Sequence, residues 1–452
     1  MNPSIFPRPQ PLGIYPGAAS HLVLPCLPQK DPTQESEAEA LESILCGDCT
    51  SFVPREWKFF AYAVFGDRDE ALRCLDEILH ASSHATDGCS DGANFSLAEI
   101  VRYNRFVLDP SEQAWMNLQC ELKQPVLRNM AEIVAYSYGL SDTLPELSSW
   151  DRELLGWGLA AHAAQQISNE DYTTARRTLA QAVEATRNVS PNLCAILISQ
   201  SAHIALACQV PSDLVQGELE QAIALASKGH RPSLVGELYM QLGQLLQNQA
   251  ADNRPTMLSA IRAYQTALQN GITAETSPVR FAELQNNLGL AYLSMPQSEA
   301  SNQLRTGIAI QSFRHALSSI DRGTHEELWA RIQMNHANAF QYAPSSHPEE
   351  NLVRAVEIYE EVLSVRTRAR DPIAYALVIL NQANALAHLG IFKPALEKAS
   401  EAYKLFQWYN HADGAITARE LVEKVNQQIE WKRPGSVVST APVSEELQHG
   451  PV

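Results

Sequence analysis

The chain has 452 residues, room for two or three domains at about 100 to 200 residues each. Its 34 Lys and Arg stand against 51 Asp and Glu, a formal charge of −17 that repels a phosphate backbone on average, so nucleic acid is not expected as a partner. Eight cysteines, all before position 209, are too sparse for a secreted disulfide framework, and no apolar run reaches the roughly 18 residues of a membrane span; a soluble, cytoplasmic protein with no membrane partner is expected.

The first 32 residues hold eight of the 25 prolines, which oppose helix and ladder alike, so residues 1–34 are expected to form a disordered arm. Residues 35–149 read as an N-terminal helical domain. The segments 55–65, 68–79, 95–107 and 110–122 place apolar residues at three- and four-residue intervals, and the polar stretch Ser82 to Asn94 divides them. Strand alternation and hairpin turns are scarce throughout, so the expected class is all-α.

From residue 150 a fixed pattern recurs: a small or apolar residue, an apolar one four later, and Ala or Val three after that. The copies are Ala175/Leu179/Ala182, Leu219/Ile223/Ala226, Ala260/Tyr264/Ala267, Ala309/Phe313/Ala316, Ala355/Tyr359/Val362 and Ala395/Ala399/Ala402. Their last members lie 44, 41, 49, 46 and 40 residues apart, which suits a two-helix unit with turns of varying length. A second helix mark precedes the later copies: Leu242-Gly243 with Leu246, Leu288-Gly289 with Tyr292, His336-Ala337 with Phe340, and Gln382-Ala383 with Leu386. The small residue lets a neighbouring helix approach.

These elements resemble the tetratricopeptide repeat family, whose helix pair carries Leu-Gly-x-x-Tyr and then Ala-x-x-x-Phe-x-x-Ala. The family's spacing of 12 between Gly and first Ala is met from Ala383 to Ala395 and from Ala207 to Leu219, and exceeded by five, eight and six residues in the three copies between. The resemblance covers residues 150–410 and implies a helical-hairpin solenoid. An amphipathic helix within 411–432 should cap its end, and residues 433–452 read as a disordered tail. In the first half, Gly66-Asp67-x-x-x-Ala71-Leu72 and the run Tyr103 to Leu108 resemble repeat proteins encoded near certain bacterial uptake hydrogenases, which implies a role in maturing the iron–sulfur-bearing small subunit.

Phosphate-loop, dinucleotide, HExxH and GxSxG motifs are missing, and no cofactor or catalytic residue is expected. Cys46-Gly47-Asp48-Cys49 has the spacing that lets two thiolates share a metal, with Cys74, Cys89, Cys120, His80 and His84 in the same domain. A second tight ligand pair is missing, so small structural cysteines are expected there. A more fold-specific candidate is the row Gln241, Asn287, Asn335 and Asn381, each two residues before the small residue of a first helix. In the family this helix lines the concave face, and some members that grip extended polypeptides pair an Asn at this place with the ligand backbone. A carboxamide donates and accepts at once and so matches one peptide unit, but it can equally bridge two helices. Arg331, Gln244, Asn338, Gln341 and Asn384 fall on or near the same face. The expected function is a non-catalytic scaffold or assembly chaperone for a protein or peptide client; the alternatives are a signalling or regulatory scaffold, and a metal- or thiol-active protein.

Overall fold

Apolar residues at helical intervals, broken by Pro, Gly and short polar side chains, determine the secondary structure. The structure, a computed structural model, describes residues 9–26, 34–50, 53–83, 97–205, 207–251, 253–295, 302–344 and 347–431. Among the described residues there are nineteen α-helices and no strand, and no helix is long and apolar enough to cross a membrane. The chain divides into two compact units, residues up to Leu238 and residues from Tyr239.

The first unit contains α1 (Gln34–Cys46), α2 (Lys58–Val64), α3 (Arg68–Ser83), α4 (Leu97–Leu108), α5 (Glu112–Glu121), α6 (Pro125–Ser137), α7 (Arg152–Ser168), α8 (Tyr172–Thr186), α9 (Pro191–His203) and α10 (Ser212–Lys228). Local signals start several of them. Ser111 accepts the Ala114 amide at 3.2 Å to cap α5, Asp171 accepts the Thr174 amide at 3.1 Å to cap α8, and proline opens α6 and α9.

One expectation is corrected here. Residues 9–26 of the supposed free arm lie within the core: Leu12, Leu22, Val23 and Leu24 are fully buried, and Ile14 and Tyr15 nearly so. Proline denies this segment a backbone ladder, and side chains replace it. Asn104 accepts the Val23 amide at 3.0 Å and donates to the Val23 carbonyl at 2.8 Å; Gln10 accepts the Leu24 amide at 2.8 Å and donates to the Leu24 carbonyl at 3.3 Å. The Tyr103 hydroxyl donates to the His21 carbonyl at 2.7 Å, and the Trp57 indole to that of Pro25 at 2.9 Å. With its peptide groups satisfied, burying the apolar side chains stabilises the segment. Residues 1–8 and 27–33 of the arm, the dividing loop from residue 84 and the tail 433–452 lie outside the described residues.

The two compact units part at 238/239, whereas the sequence reading places a boundary at 149/150. One core runs from Leu12 through Trp57, Leu127 and Trp157 to Ala175 and Leu197, so the N-terminal helices and the first helix pairs form one body. The buried segment ties them: Gly13 packs against Trp157 and Leu193, and Asn192 at the start of α9 donates to the Leu45 carbonyl at the end of α1 at 2.8 Å.

Helix α11 (Pro232–Ala250) crosses the division, and the second unit continues with α12 (Arg254–Gln269), α13 (Pro278–Leu293), α14 (Asn302–Ser318), α15 (Glu326–Gln341), α16 (Pro348–Leu363), α17 (Pro372–His388), α18 (Phe392–Trp408) and α19 (Ala412–Trp431). The pairs α13/α14, α15/α16 and α17/α18 pack as antiparallel hairpins, each on the next, and α19 closes the series against α18. The fold is a tetratricopeptide-like helical solenoid. The middle residue of each second-helix triad plugs its pair: Tyr264, Phe313, Tyr359 and Ala399 are fully buried with the small residues flanking them. The first helices α13, α15, α17 and α19 also meet from pair to pair, more closely than the second helices do, which makes theirs the concave layer.

Glycine at the pair contact is required by space. A Cβ on Gly289 would stand 2.8 Å from the fully buried Phe313 ring, whereas one on Gly307 in α14 would meet nothing within 4 Å. Gly289→Ala should therefore destabilise the second unit by about 1–3 kcal/mol through overpacking. Gly307→Ala should be neutral or gain up to about 1 kcal/mol from helix propensity. Thermal melts of the two variants side by side check the pair, and equal midpoints would refute the packing assignment.

Candidate functional site

The CxxC is the first sequence candidate. Cys49 is buried with its Sγ 3.3 Å from the Tyr15 hydroxyl, and burial pushes its thiol pKa up, away from the thiolate that binds metal or attacks a substrate. Burial and then the nearby Glu42 carboxylate raise that of Cys46 as well. Among the described residues no three His, Cys, Asp or Glu side chains gather in a metal-holding group; Cys89 and His84 lie outside them. Arg231 covers the other side of Tyr15, its guanidinium carbon 4.8 Å from the ring centre, and donates to the Ile14 carbonyl. Cys49 packs within the core of the first unit.

The carboxamide row lies on the first helices of the second unit, two residues before the pair-contact position. Asn287 on α13, Asn335 on α15 and Asn381 on α17 are each half-buried. Two more deeply buried asparagines, Asn286 on α13 and Asn338 on α15, lie beside them. The Asn335 amide donates to Oδ1 of Asn286 at 2.9 Å, and the Asn381 amide donates to Oδ1 of Asn338 at 3.3 Å. Asn286 and Asn338 are 4 % and 5 % exposed, so these bonds satisfy acceptors that solvent does not reach. Asn338 also accepts from the Tyr359 hydroxyl at 2.5 Å, and Tyr359 reaches Gln341 Oε1 at 3.0 Å. Asn286 in turn donates to Asn287 over a long 3.5 Å.

The sequence candidates thus divide. Asn335, Asn338 and Asn381 join a set of two bridges, Asn335 to Asn286 between α15 and α13 and Asn381 to Asn338 between α17 and α15, and Asn287 touches the first of them. Asn338 is sealed within the set and is corrected from a peptide-contacting to a bridging residue. Asn384 donates to the Tyr342 hydroxyl at 3.2 Å, a second link between α17 and the end of α15. Exposed Arg331 stands 3.9 Å from Glu283, which Arg280 also holds at 3.0 Å. Gln241 sits half-buried and Gln244 exposed on α11. Asn286 and Tyr359 were missed as members of the set. The adjacent pair Asn286-Asn287 carried the signal for one of them, since neighbours on a helix point about 100° apart and one must face inward when the other faces out.

Bridging does not exhaust these side chains. An asparagine has two N–H donors and one carbonyl with two lone pairs. Asn335 and Asn381 each commit one N–H, which fixes the plane of the amide and leaves a second N–H and the carbonyl oxygen. Asn287 keeps both N–H groups. Each is therefore a held amide with one donor and one acceptor to offer, the complement of a single peptide unit.

No protein-family model and no curated protein matches the sequence. Among solved structures, the chain is similar to a Rap protein complexed with competence and sporulation factor, at 11 % identity and a TM-score of 0.42 over 83 % of this chain and 98 % of that one. It is also similar to the TPR2AB domain of yeast Sti1 in complex with an HSP90 peptide, at 14 % identity and a TM-score of 0.25 over 60 % and 98 % of the two chains. A monomeric IFIT1 mutant with m7Gppp-AAAA aligns at 14 % identity and a TM-score of 0.27 over 88 % and 96 %. The assignment of the fold rests on the helix packing described above. Nothing in these comparisons speaks for the hydrogenase-linked resemblance.

Proposed function

We propose that the protein is a non-catalytic scaffold that holds an extended segment of a client polypeptide along α13, α15 and α17. The observation that carries this reading is the repetition of one chemistry at one place: Asn287, Asn335 and Asn381, each half-buried on the concave layer with a donor and an acceptor unspent. A ligand that repeats the same group at intervals suits such a row, and a polypeptide backbone repeats an amide. Carboxamides neither take up nor release a proton near neutral pH, so this face offers no general acid or base. The client class carried over from the sequence resemblance, an iron–sulfur subunit awaiting assembly, is one bait for the experiment.

The test is affinity capture from the native host with the intact chain and with the combined Asn287→Ala, Asn335→Ala and Asn381→Ala variant, each melted in parallel. Three lost hydrogen bonds at about 0.5–1.5 kcal/mol each should weaken client binding by roughly tenfold to a thousandfold. Asn335→Ala and Asn381→Ala should also lower the melting temperature, because each breaks an interhelix bond. Asn287→Ala should leave it nearly unchanged and is the clean probe of binding. A client retained equally by the intact chain and by the Asn287 and combined variants would refute the proposal.

A further inference from the structure

The last hairpin, α17 and α18, carries a groove of about 880 Å³ outside the carboxamide face. Leu396, Glu397, Ser400, Glu401, Lys404 and Trp408 line it from α18, at the one-, three- and four-residue steps that make a single stripe along a helix. Trp408 is 82 % exposed at the end of that stripe, the type of side chain that anchors protein interfaces.

The stripe carries charges of both signs, and they are not all answered within the chain. Glu401 is met by Arg368 at 3.4 Å and by the Tyr375 hydroxyl at 3.5 Å. Glu397 and Lys404 form no ion pair with any described residue. They stand seven residues apart, too far for the pairs that a helix forms at three and four. The preceding hairpin shows the difference. By the 40-residue interval that relates Ala355 to Ala395, Glu397 corresponds to Glu357 of α16, which Arg354 holds at 3.1 Å; the place of Arg354 is taken in α18 by Pro394.

A wholly acidic or wholly basic partner would answer only one of the two charges. Unmatched charges of opposite sign, equally spaced about a small residue, are instead their own complement. When two α18 helices lie antiparallel about a twofold axis between Ser400 and Glu401, Glu397 of each copy stands opposite Lys404 of the other, and Leu396 opposite Leu405. Exposed Lys393 then stands opposite the Trp408 ring, a cation–π pairing, and the small Ser400 at the axis lets the helices approach. Every such contact occurs twice, as in an isologous interface.

We propose that this face of α18 is a homodimer interface, occupied by the α18 of a second copy in antiparallel register. One helix from each side makes a small interface, so the dimer should be reversible, with a Kd on the order of 1–100 μM. The site is independent of the carboxamide row, and either can fail alone.

The test is sedimentation equilibrium of the full chain from about 1 to 200 μM, a range that spans this Kd. The intact chain should pass from monomer to dimer. Glu397→Lys and Lys404→Glu should each weaken self-association at least tenfold, because each sets like charges opposite one another at two places. Mixed one to one, these two variants should pair about as tightly as the intact chain, since every Lys again faces a carboxylate, and that rescue excludes misfolding as the cause of the losses. Trp408→Ala should weaken the dimer at least tenfold and Asn287→Ala should not. An intact chain monomeric throughout, charge variants that self-associate like it, or a mixture that stays monomeric would overturn the proposal. So would a dimer seen only after removal of residues 432–452, which would make the chain's own tail the occupant.

Discussion

Replacing Leu24 by Ala should cost the first unit about 2–5 kcal/mol, the range for emptying a fully buried leucine site, although this residue stands in the most proline-rich stretch of the chain. Asn104→Ala should be comparably severe by another route. Asn104 is itself fully buried and is the partner of both peptide groups of Val23, so its loss strands a buried N–H and a buried C=O at about 1–3 kcal/mol each. Urea unfolding measures the free energies, and hydrogen exchange separates the mechanisms. Under native conditions the Val23 amide should be strongly protected in the intact chain and should exchange far faster in Asn104→Ala. Leu24→Ala should keep that hydrogen bond and lose stability through the cavity. An unprotected Val23 amide in the intact chain, together with an unchanged urea midpoint for Leu24→Ala, would show that residues 21–25 do not belong to the core.

The same segment marks where the sequence stops being readable. The second-helix triads were legible because burial of a helix face repeats every three to four residues, and all four triads in the second unit occupy the core as their spacing requires. The contact of Gly289 with Phe313 was legible for a related reason, since a small residue at a fixed place in successive copies implies a close neighbour. The burial of residues 9–26 was hidden because a run of prolines describes only what the backbone cannot do. What satisfies it comes from Trp57, Tyr103 and Asn104, between 32 and 82 positions away, and no local period records such a pairing. The core that the N-terminal helices share with the first hairpins is hidden for the same cause, because the segment that joins them precedes both. The carboxamide row was half legible: its place follows from the repeat, but the buried Asn286 and Asn338 that hold two of its members depend on how far apart neighbouring first helices stand.

Acidification should weaken the second unit through His336. The ring is 7 % exposed, packed 4.9 Å from Phe340 and 6.3 Å from Phe313 between centroids, and its Nε2 is sealed with no hydrogen-bond partner. Nδ1 has only Gln333 at 3.4 Å. Burial, with the positive charges of Arg314 on α14 and Arg354 on α16, lowers its pKa from 6.5 to about 4. Between these values the unfolded chain binds the proton and the folded chain does not, so stability rises with pH across this window and falls as the pH drops through it. The full depression corresponds to about 3 kcal/mol, present above pH 6.5 and lost on approach to pH 4. His336→Phe keeps an aromatic ring between Phe313 and Phe340 and removes the titration. The variant should therefore match or modestly exceed the intact chain at pH 7.5, and exceed it by a further 2–3 kcal/mol, roughly, near pH 4.5. His21 in the first unit, its Nδ1 sealed and its ring 5.5 Å from that of Trp157, has its pKa lowered by burial to about 4 as well, so some acid sensitivity survives the substitution. Urea unfolding of both proteins from pH 4.5 to 7.5 gives the two slopes. Parallel slopes would mean that His336 is already protonated in the folded state or is open to water, and the packing of α15 between α14 and α16 would need redrawing at that place.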